Sequence, residues 1–244
     1  MQCTVSPMQP SDIDDIIALC RRVYPSSPPW TAAQLLSHLE LFAEGQQVAR
    51  TTDGLLAGMS ASLIVRWDAY DAMGTWRDFT AGGTFRNHDP SSGRTLYGAE
   101  IMVDPSLQGT GVGSILYRAR RELAERLGLL RIRAGARLAG YSEVHEQLTP
   151  WEYVLDVVSD RRRDPTLSFQ LSRGFHVFDV VHGYLEHDPA SRGWAALIQW
   201  VNPAVATQSD YGVADPRLIP FMAPNPARLS GEGLSSGADG TRCS

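Results

Sequence analysis

The chain has 244 residues, 43% of them hydrophobic, which suffices for one larger domain or two small ones with a real core. A formal charge of −5 argues against nucleic acid as the main partner. No cationic leader precedes an apolar run and no apolar stretch nears about 18 residues, so secretion and membrane association are not expected.

Thr4–Met8 reads as a short strand. Ser11 is placed to cap the next helix with Asp14 reaching back, and Ile13, Ile16, Ile17, Cys20 and Val23 form its apolar stripe. Cys20 therefore reads as a buried thiol. With Cys3 and Cys243 it shows no metal-ligand spacing, and a reducing, cytoplasmic setting is expected. Tyr24–Trp30 breaks the helix, and Thr31 caps a second one through about Phe42. Gln46–Thr52 and Leu55–Val65 flank Asp53-Gly54, a hairpin signal. Arg66–Thr95 has a weak pattern. Leu96–Val103 is a buried strand, Ser114–Leu127 an amphipathic helix and Leu129–Ala136 another strand. After an irregular stretch, Pro165–Arg173 is helical, and Phe175–Tyr184 and Trp194–Val201 form a closing antiparallel pair. Beyond Asn202 the chain is rich in Pro, Gly and Ser; Tyr211–Met222 is placed to pack back, and Ala223–Ser244 reads as a disordered tail.

Between the Leu96–Val103 strand and the Ser114–Leu127 helix lies Gln108-Gly109-Thr110-Gly111-Val112-Gly113. A strand, a glycine turn and a helix N-terminus together make an anion cradle. Unpaired N–H groups point outward, the helix dipole adds positive charge, and glycines let a phosphate approach. A dinucleotide-binding turn is excluded: the third glycine comes one residue early, and Arg131 and Arg133 stand where its acid belongs. A P-loop is excluded because no lysine follows. Q-x-x-G-x-G after Val103-Asp104-Pro105 resembles the pyrophosphate motif of the GCN5-related N-acetyltransferases.

That resemblance extends over roughly Val5–Pro203. Phe42-Ala-Glu-Gly-Gln46, Trp67-Asp-Ala-Tyr70, Thr84–Pro90, Tyr97-Gly-Ala-Glu100, Gly140-Tyr141, Leu167-Ser-Phe-Gln170 and Gln199–Pro203 are similar to the branch often fused to carbon–nitrogen hydrolase domains. This chain looks like its stand-alone form. The resemblance implies an α/β fold with a mixed, mostly antiparallel sheet of about seven strands, splayed at the fourth and fifth and flanked by helices. It implies one domain over 1–203 with an extension over 204–244. It also implies acetyl-coenzyme A as co-substrate, held by Gln108, Gly109, Gly111, Val112, Gly113 and Ser114, with a bulge on the preceding strand freeing the N–H of Met102 or Val103 for the oxyanion. An amine of a small molecule or a peptide would be the acceptor.

Direct transfer to an amine needs a base, an oxyanion donor and an acid for the leaving thiolate. Glu100, in an otherwise apolar strand, is the candidate base; a carboxylate paired with Arg133 or Arg137 for structure alone is the open alternative. The family's tyrosine acid, five residues before Phe175, is replaced by Gln170. Tyr141 is then the candidate acid, with His145 and Tyr153 behind it and ordinary packing as the alternative for each. The two long irregular segments read as walls of an acceptor pocket. Trp67, Tyr70, Trp76 and Phe85 would line it, and Asp68, Asp71, Asp78, Asp89 and Glu143 would receive a cation, or these residues form a satellite core and a solvated surface. Arg161-Arg162-Arg163 is either a site for the coenzyme's 3′-phosphate or a solvated run, and Tyr117 and Arg118–Arg121 read as surface and packing residues. His88 and His176 show no metal-ligand spacing, so no metal is expected. A sensor that holds an acyl-coenzyme A without turnover, and a partner-binding role for the tail, stay open, as does a homodimer.

Overall fold

The computed structural model describes residues 2–25, 27–70, 74–186, 188–211 and 216–221. Its elements are β1 (Cys3–Pro7), α1 (Ile13–Val23), α2 (Ala32–Phe42), β2 (Gln46–Thr51), β3 (Leu56–Val65), α3 (Trp76–Phe79), β4 (Thr95–Val103), α4 (Val112–Arg126), β5 (Arg131–Arg137), α5 (Pro150–Val158), α6 (Leu167–Ser172), β6 (His176–Val181) and β7 (Ala195–Val201). Seven strands form one sheet in the order β1-β2-β3-β4-β5-β7-β6, parallel only between β4 and β5. The fold class matches the expectation.

Local chemistry explains the helix starts. Thr31 accepts the Gln34 N–H at 3.2 Å while Gln34 accepts the Thr31 N–H at 3.0 Å, closing a capping box on α2. Ser11 does not cap α1. Pro10–Asp12 first winds a 3-10 turn, and Asp12 returns to the Gln9 N–H at 2.7 Å, so the box forms two residues earlier. The stretch expected to be irregular contains α5. Thr149 and Glu152 cap it, with Pro150 at the first position where a missing N–H costs nothing.

The sheet separates two apolar layers. On one face α4, α5 and α6 cover Leu96, Ile132, Ala134, Ala136 and Ile198. On the other, Ile16 and Leu19 of α1 and Leu35 of α2 pack on Leu63, Val65, Tyr97 and Leu197. Each such large side chain, fully buried, stabilises the fold by about 1.5–3 kcal/mol. Leu218, 1% exposed, joins the first layer, and Arg217 stacks on Trp151. Met222, Cys243 and the 223–244 stretch lie outside the described residues. No helix among the described residues is long and apolar enough to cross a membrane.

Two irregularities position the site. β4 and β5 pair only through Thr95–Tyr97 against Arg131–Arg133, then part into a fork. β4 also carries a bulge, because Ala61 faces Glu100 while Ser62 faces Gly98, leaving Ala99 as an extra residue.

Candidate functional site

The glycine turn hangs from the end of β4. Asp104 accepts the Ser106 N–H at 3.0 Å and starts a 3-10 turn over Pro105–Leu107. Its other oxygen accepts Arg22 Nε at 2.9 Å, which ties the turn to α1. Gly109 and Gly111 then take φ of 77° and 95°, the left-handed region open to glycine at least cost. As a result the N–H groups of Gln108, Gly109, Gly111, Val112, Gly113 and Ser114 meet no acceptor among the described residues. Gln108–Gly111 are exposed. Six unpartnered donors at the positive end of α4 suit a pyrophosphate and nothing bulkier than glycine at the bend.

Behind the turn is the fork. Asp104 donates its N–H to Ala57 of β3 at 2.9 Å, so by strand alternation Met102 also faces β3 and Val103 faces the gap. β5 pairs with β4 only through Tyr97, so the Val103 N–H has no partner on β5, whereas the Ile101 N–H is taken by Glu100 at 3.0 Å. Of the two residues expected to offer an oxyanion donor, Val103 is aimed into the fork.

The bulge decides where Glu100 goes. Simple alternation would set Leu96, Gly98 and Glu100 on the face covered by α4. The extra Ala99 reverses the phase: Ala99 belongs to the opposite layer, and Glu100 follows it there to accept the Tyr24 hydroxyl at 2.9 Å. Trp76 fixes the bulge by donating Nε1 to the Ala99 carbonyl at 2.9 Å. Both hydrogen bonds to Glu100 land on Oε1, and Oε2 takes none from the described residues. Burial pushes the Glu100 carboxyl above its ordinary range, opposed by Tyr24, the Ile101 N–H and the charges of Arg120 and Arg137. The same burial, with the adjacent carboxylate, raises Tyr24 well above its usual value.

Neither arginine expected beside Glu100 binds its carboxylate. Arg133 is clamped between Trp67 and Phe178, 4.5 and 4.2 Å from the ring centres, and forks onto Gln199 Oε1. Arg137 pairs with Asp188 at 2.5 Å and acts on Glu100 only through space. The arginine that matters is Arg120, which was expected to be a surface or packing residue and is 2% exposed. Its guanidinium lies under Gly98 and donates to Ser62 Oγ, the Ala61 carbonyl and the Glu100 carbonyl. Burial lowers it to about 10. A signal existed: Arg120 sits four residues from both Leu116 and Ala124, inside the apolar stripe of α4.

Tyr141 is not brought to Glu100. It is buried beside Tyr153, and its hydroxyl donates to the Leu148 carbonyl at 3.1 Å. His145 bonds the Ser142 carbonyl and Tyr153 donates to Asp164 at 2.7 Å, so these polar groups serve their own segment. Tyr24, in the α1–α2 connection, was missed; no motif spacing marks it.

The expected aromatic lining is mostly core. Phe85 is fully buried, Trp67 stacks on Phe79 and Tyr70 packs against it at a tilt. Asp78 and Asp89 cap their own turns, Asp68 and Glu143 are exposed, and Asp71 lies outside the described residues. Arg161 pairs with Asp156 and Arg162 stacks on Tyr153. His88 accepts the Ile64 N–H, and His176 meets Gln199.

Comparison with known proteins bears on the family and the fold. Residues 61–141 match the model of the acetyltransferase (GNAT) family. The uncharacterized N-acetyltransferase YkwB of Bacillus subtilis (strain 168) is 33% identical over 203 residues, 82% of this chain and 88% of that protein. The probable hydrolase YhcX of the same organism is 40% identical over 195 residues, 80% of this chain; the match spans only 38% of that protein's length. Among solved structures, the GphF GNAT-like decarboxylase in complex with isobutyryl-CoA superposes with a TM-score of 0.66 at 24% identity, over 81% of this chain and 98% of that one.

Proposed function

Since the chain belongs to the acetyltransferase (GNAT) family, we propose that it transfers the acetyl group of acetyl-coenzyme A directly to an amine of a small molecule or a peptide. The observation that carries this reading is that a buried carboxylate, Glu100, and an N–H without a partner on β5, Val103, lie on the one strand that runs from the fork to the glycine turn. The N–H groups of Gln108, Gly109, Gly111, Val112, Gly113 and Ser114 would hold the pyrophosphate, with Met102 and Val103 bordering the acyl end. Bound there, the coenzyme supplies a thioester carbonyl open to attack.

The remaining chemistry belongs to the chain. Val103 offers its N–H to the carbonyl oxygen as negative charge develops. Glu100 Oε2, which takes no hydrogen bond from the described residues, would take the proton from the ammonium, and the raised pKa favours that uptake. Tyr24 holds Oε1, which keeps the carboxylate in one rotamer. Tyr141 is left without a step, because its proton goes to Leu148.

The test is to incubate the purified protein with acetyl-coenzyme A and a panel of primary amines, following free thiol and acetylated product by mass. Transfer to at least one amine is expected. Tight binding of acetyl-coenzyme A with no transfer to any amine would replace this reading by that of a sensor.

A further inference from the structure

Arg120 stands on α4 two turns beyond Gly113, and its side chain is turned into the sheet rather than to solvent. A guanidinium taken out of water is costly unless it is well paired. The three acceptors that Arg120 reaches are all neutral: Ser62 Oγ at 3.0 Å, the Ala61 carbonyl at 3.1 Å and the Glu100 carbonyl. An aliphatic side chain would suit the apolar stripe between Leu116 and Ala124, so packing does not call for a cation there.

The acceptors share one place in the sheet. The register of β3 against β4 shifts between Ala61 and Ser62, and Glu100 lies opposite Ala61 beside the extra Ala99. Arg120 Nη2 bridges the Ala61 and Glu100 carbonyls across the two strands, while Nε holds Ser62 on the far side of the shift. Gly98 makes the room, since an added Cβ would stand 2.6 Å from Nη1. From the opposite face Trp76 donates to the Ala99 carbonyl at 2.9 Å. Successive carbonyls of the bulge are thus gripped from both faces, by α4 below and by α3 above. It is this bulge that turns the Glu100 side chain to the α1 side of the sheet. The charge of Arg120 also favours the ionised form of Glu100.

We propose that Arg120 is a positioning residue for the reaction: by tying the Ala61 and Glu100 carbonyls together it keeps the bulge at Ala99 and the Glu100 carboxylate on the α1 side. The inference rests on the reading of Glu100 as the base. Arg120 needs no contact with either substrate, because its effect on rate passes through Glu100. Without the guanidinium the extra residue is free to slip along β4, and a slip of one position restores the alternation that carries the carboxylate to the α4 face. Misplacement of a reacting group on that scale lowers the rate while the groups that hold the coenzyme stay where they are.

The test measures kcat for transfer from acetyl-coenzyme A and calorimetric affinity for coenzyme A in Arg120→Met and Ser62→Ala, each alone and combined with Glu100→Gln, with folding checked by circular dichroism. Arg120→Met is expected to lower kcat about a hundredfold and to leave coenzyme A affinity unchanged. Ser62→Ala removes one anchor and keeps the guanidinium, so it should lower kcat severalfold, again with unchanged affinity; it carries the comparison where Arg120→Met does not fold. With Glu100 already Gln, neither change should lower the residual rate further, because residues that act through one group are not additive. In whichever of the two folds, a kcat within about threefold of wild type, an equal fold-loss in both backgrounds, or coenzyme A affinity that falls with kcat would overturn the assignment while the reading of Glu100 survives. Wild type that transfers to no amine, or whose kcat is unaffected by Glu100→Gln, would overturn both.

Discussion

Replacing Glu100 by Gln separates the chemistry of this residue from its packing. Both hydrogen bonds it receives, from Tyr24 at 2.9 Å and from the Ile101 N–H at 3.0 Å, end on Oε1. The Gln amide oxygen can accept both, so the bulge and the Tyr24 rotamer should survive. What disappears is a carboxylate able to take a proton. A positioned general base contributes about 10²–10⁴-fold, so kcat for transfer should fall by that factor, about 3–5 kcal/mol at 1.36 kcal/mol per decade. Affinity for acetyl-coenzyme A should not change, because the glycine turn is untouched. Stability should move the other way. The folded-state pKa of Glu100 is raised, so the folded protein holds its proton more tightly than the unfolded chain, and ionised Glu100 opposes folding at pH above the folded value. The variant should therefore be at least as stable as wild type in urea at pH 7. The wild-type acid limb of kcat/KM should vanish in the variant, and its residual rate should climb with pH as the free amine appears in solution. A kcat within threefold of wild type would remove Glu100 from the mechanism, and a clear loss of stability would show that its charge supports the fold.

Three further outcomes follow from contacts in the core and the turn. An added Cβ on Gly135 would stand 2.0 and 2.1 Å from Tyr184 ring atoms, and Tyr184 is held by the Tyr97 hydroxyl, so Gly135→Ala should cost about 1–3 kcal/mol or more in urea unfolding, the cost of overpacking a filled core; a loss under about 1 kcal/mol would refute the fit. His38, fully buried, is lowered by desolvation from 6.5 to about 4. Its contribution is therefore complete above pH 6.5 and is lost as pH falls toward 4, so between pH 7 and 5 wild type should lose about 2 kcal/mol more than His38→Gln by equilibrium denaturation. Nothing lies within 4 Å of a Cβ at Gly111, whose φ is 95°, so Gly111→Ala should cost only the backbone term, about 1–2 kcal/mol. Calorimetry should show acetyl-coenzyme A binding at least tenfold weaker, since the left-handed bend that sets the turn's N–H groups is then strained.

Strand and helix order was readable because periodicity of 2 or 3.6 survives in each long element, and the glycine turn because left-handed backbone demands its own residue. α5 was missed although Thr149-Pro150-Trp151-Glu152 carries a helix-start signal; its apolar face was read as loop. Glu100 could be named from its contrast with the strand, but not its face, since no residue type announces that Ala99 is the extra one. Tyr24 acquires meaning only through a partner 76 positions away. Pairwise closeness of that kind leaves no periodic trace.

The parting of β4 from β5 turns a wall into a passage. Under the proposed chemistry the acyl donor arrives from the side of α4 and α6 and the amine from the side of α1 and α2, each by its own door. Neither has to leave before the other can enter, so both can be held together and no acyl group need be parked on the protein. Initial-rate plots should accordingly intersect rather than run parallel, and whatever narrows one entrance should change the KM of one substrate alone.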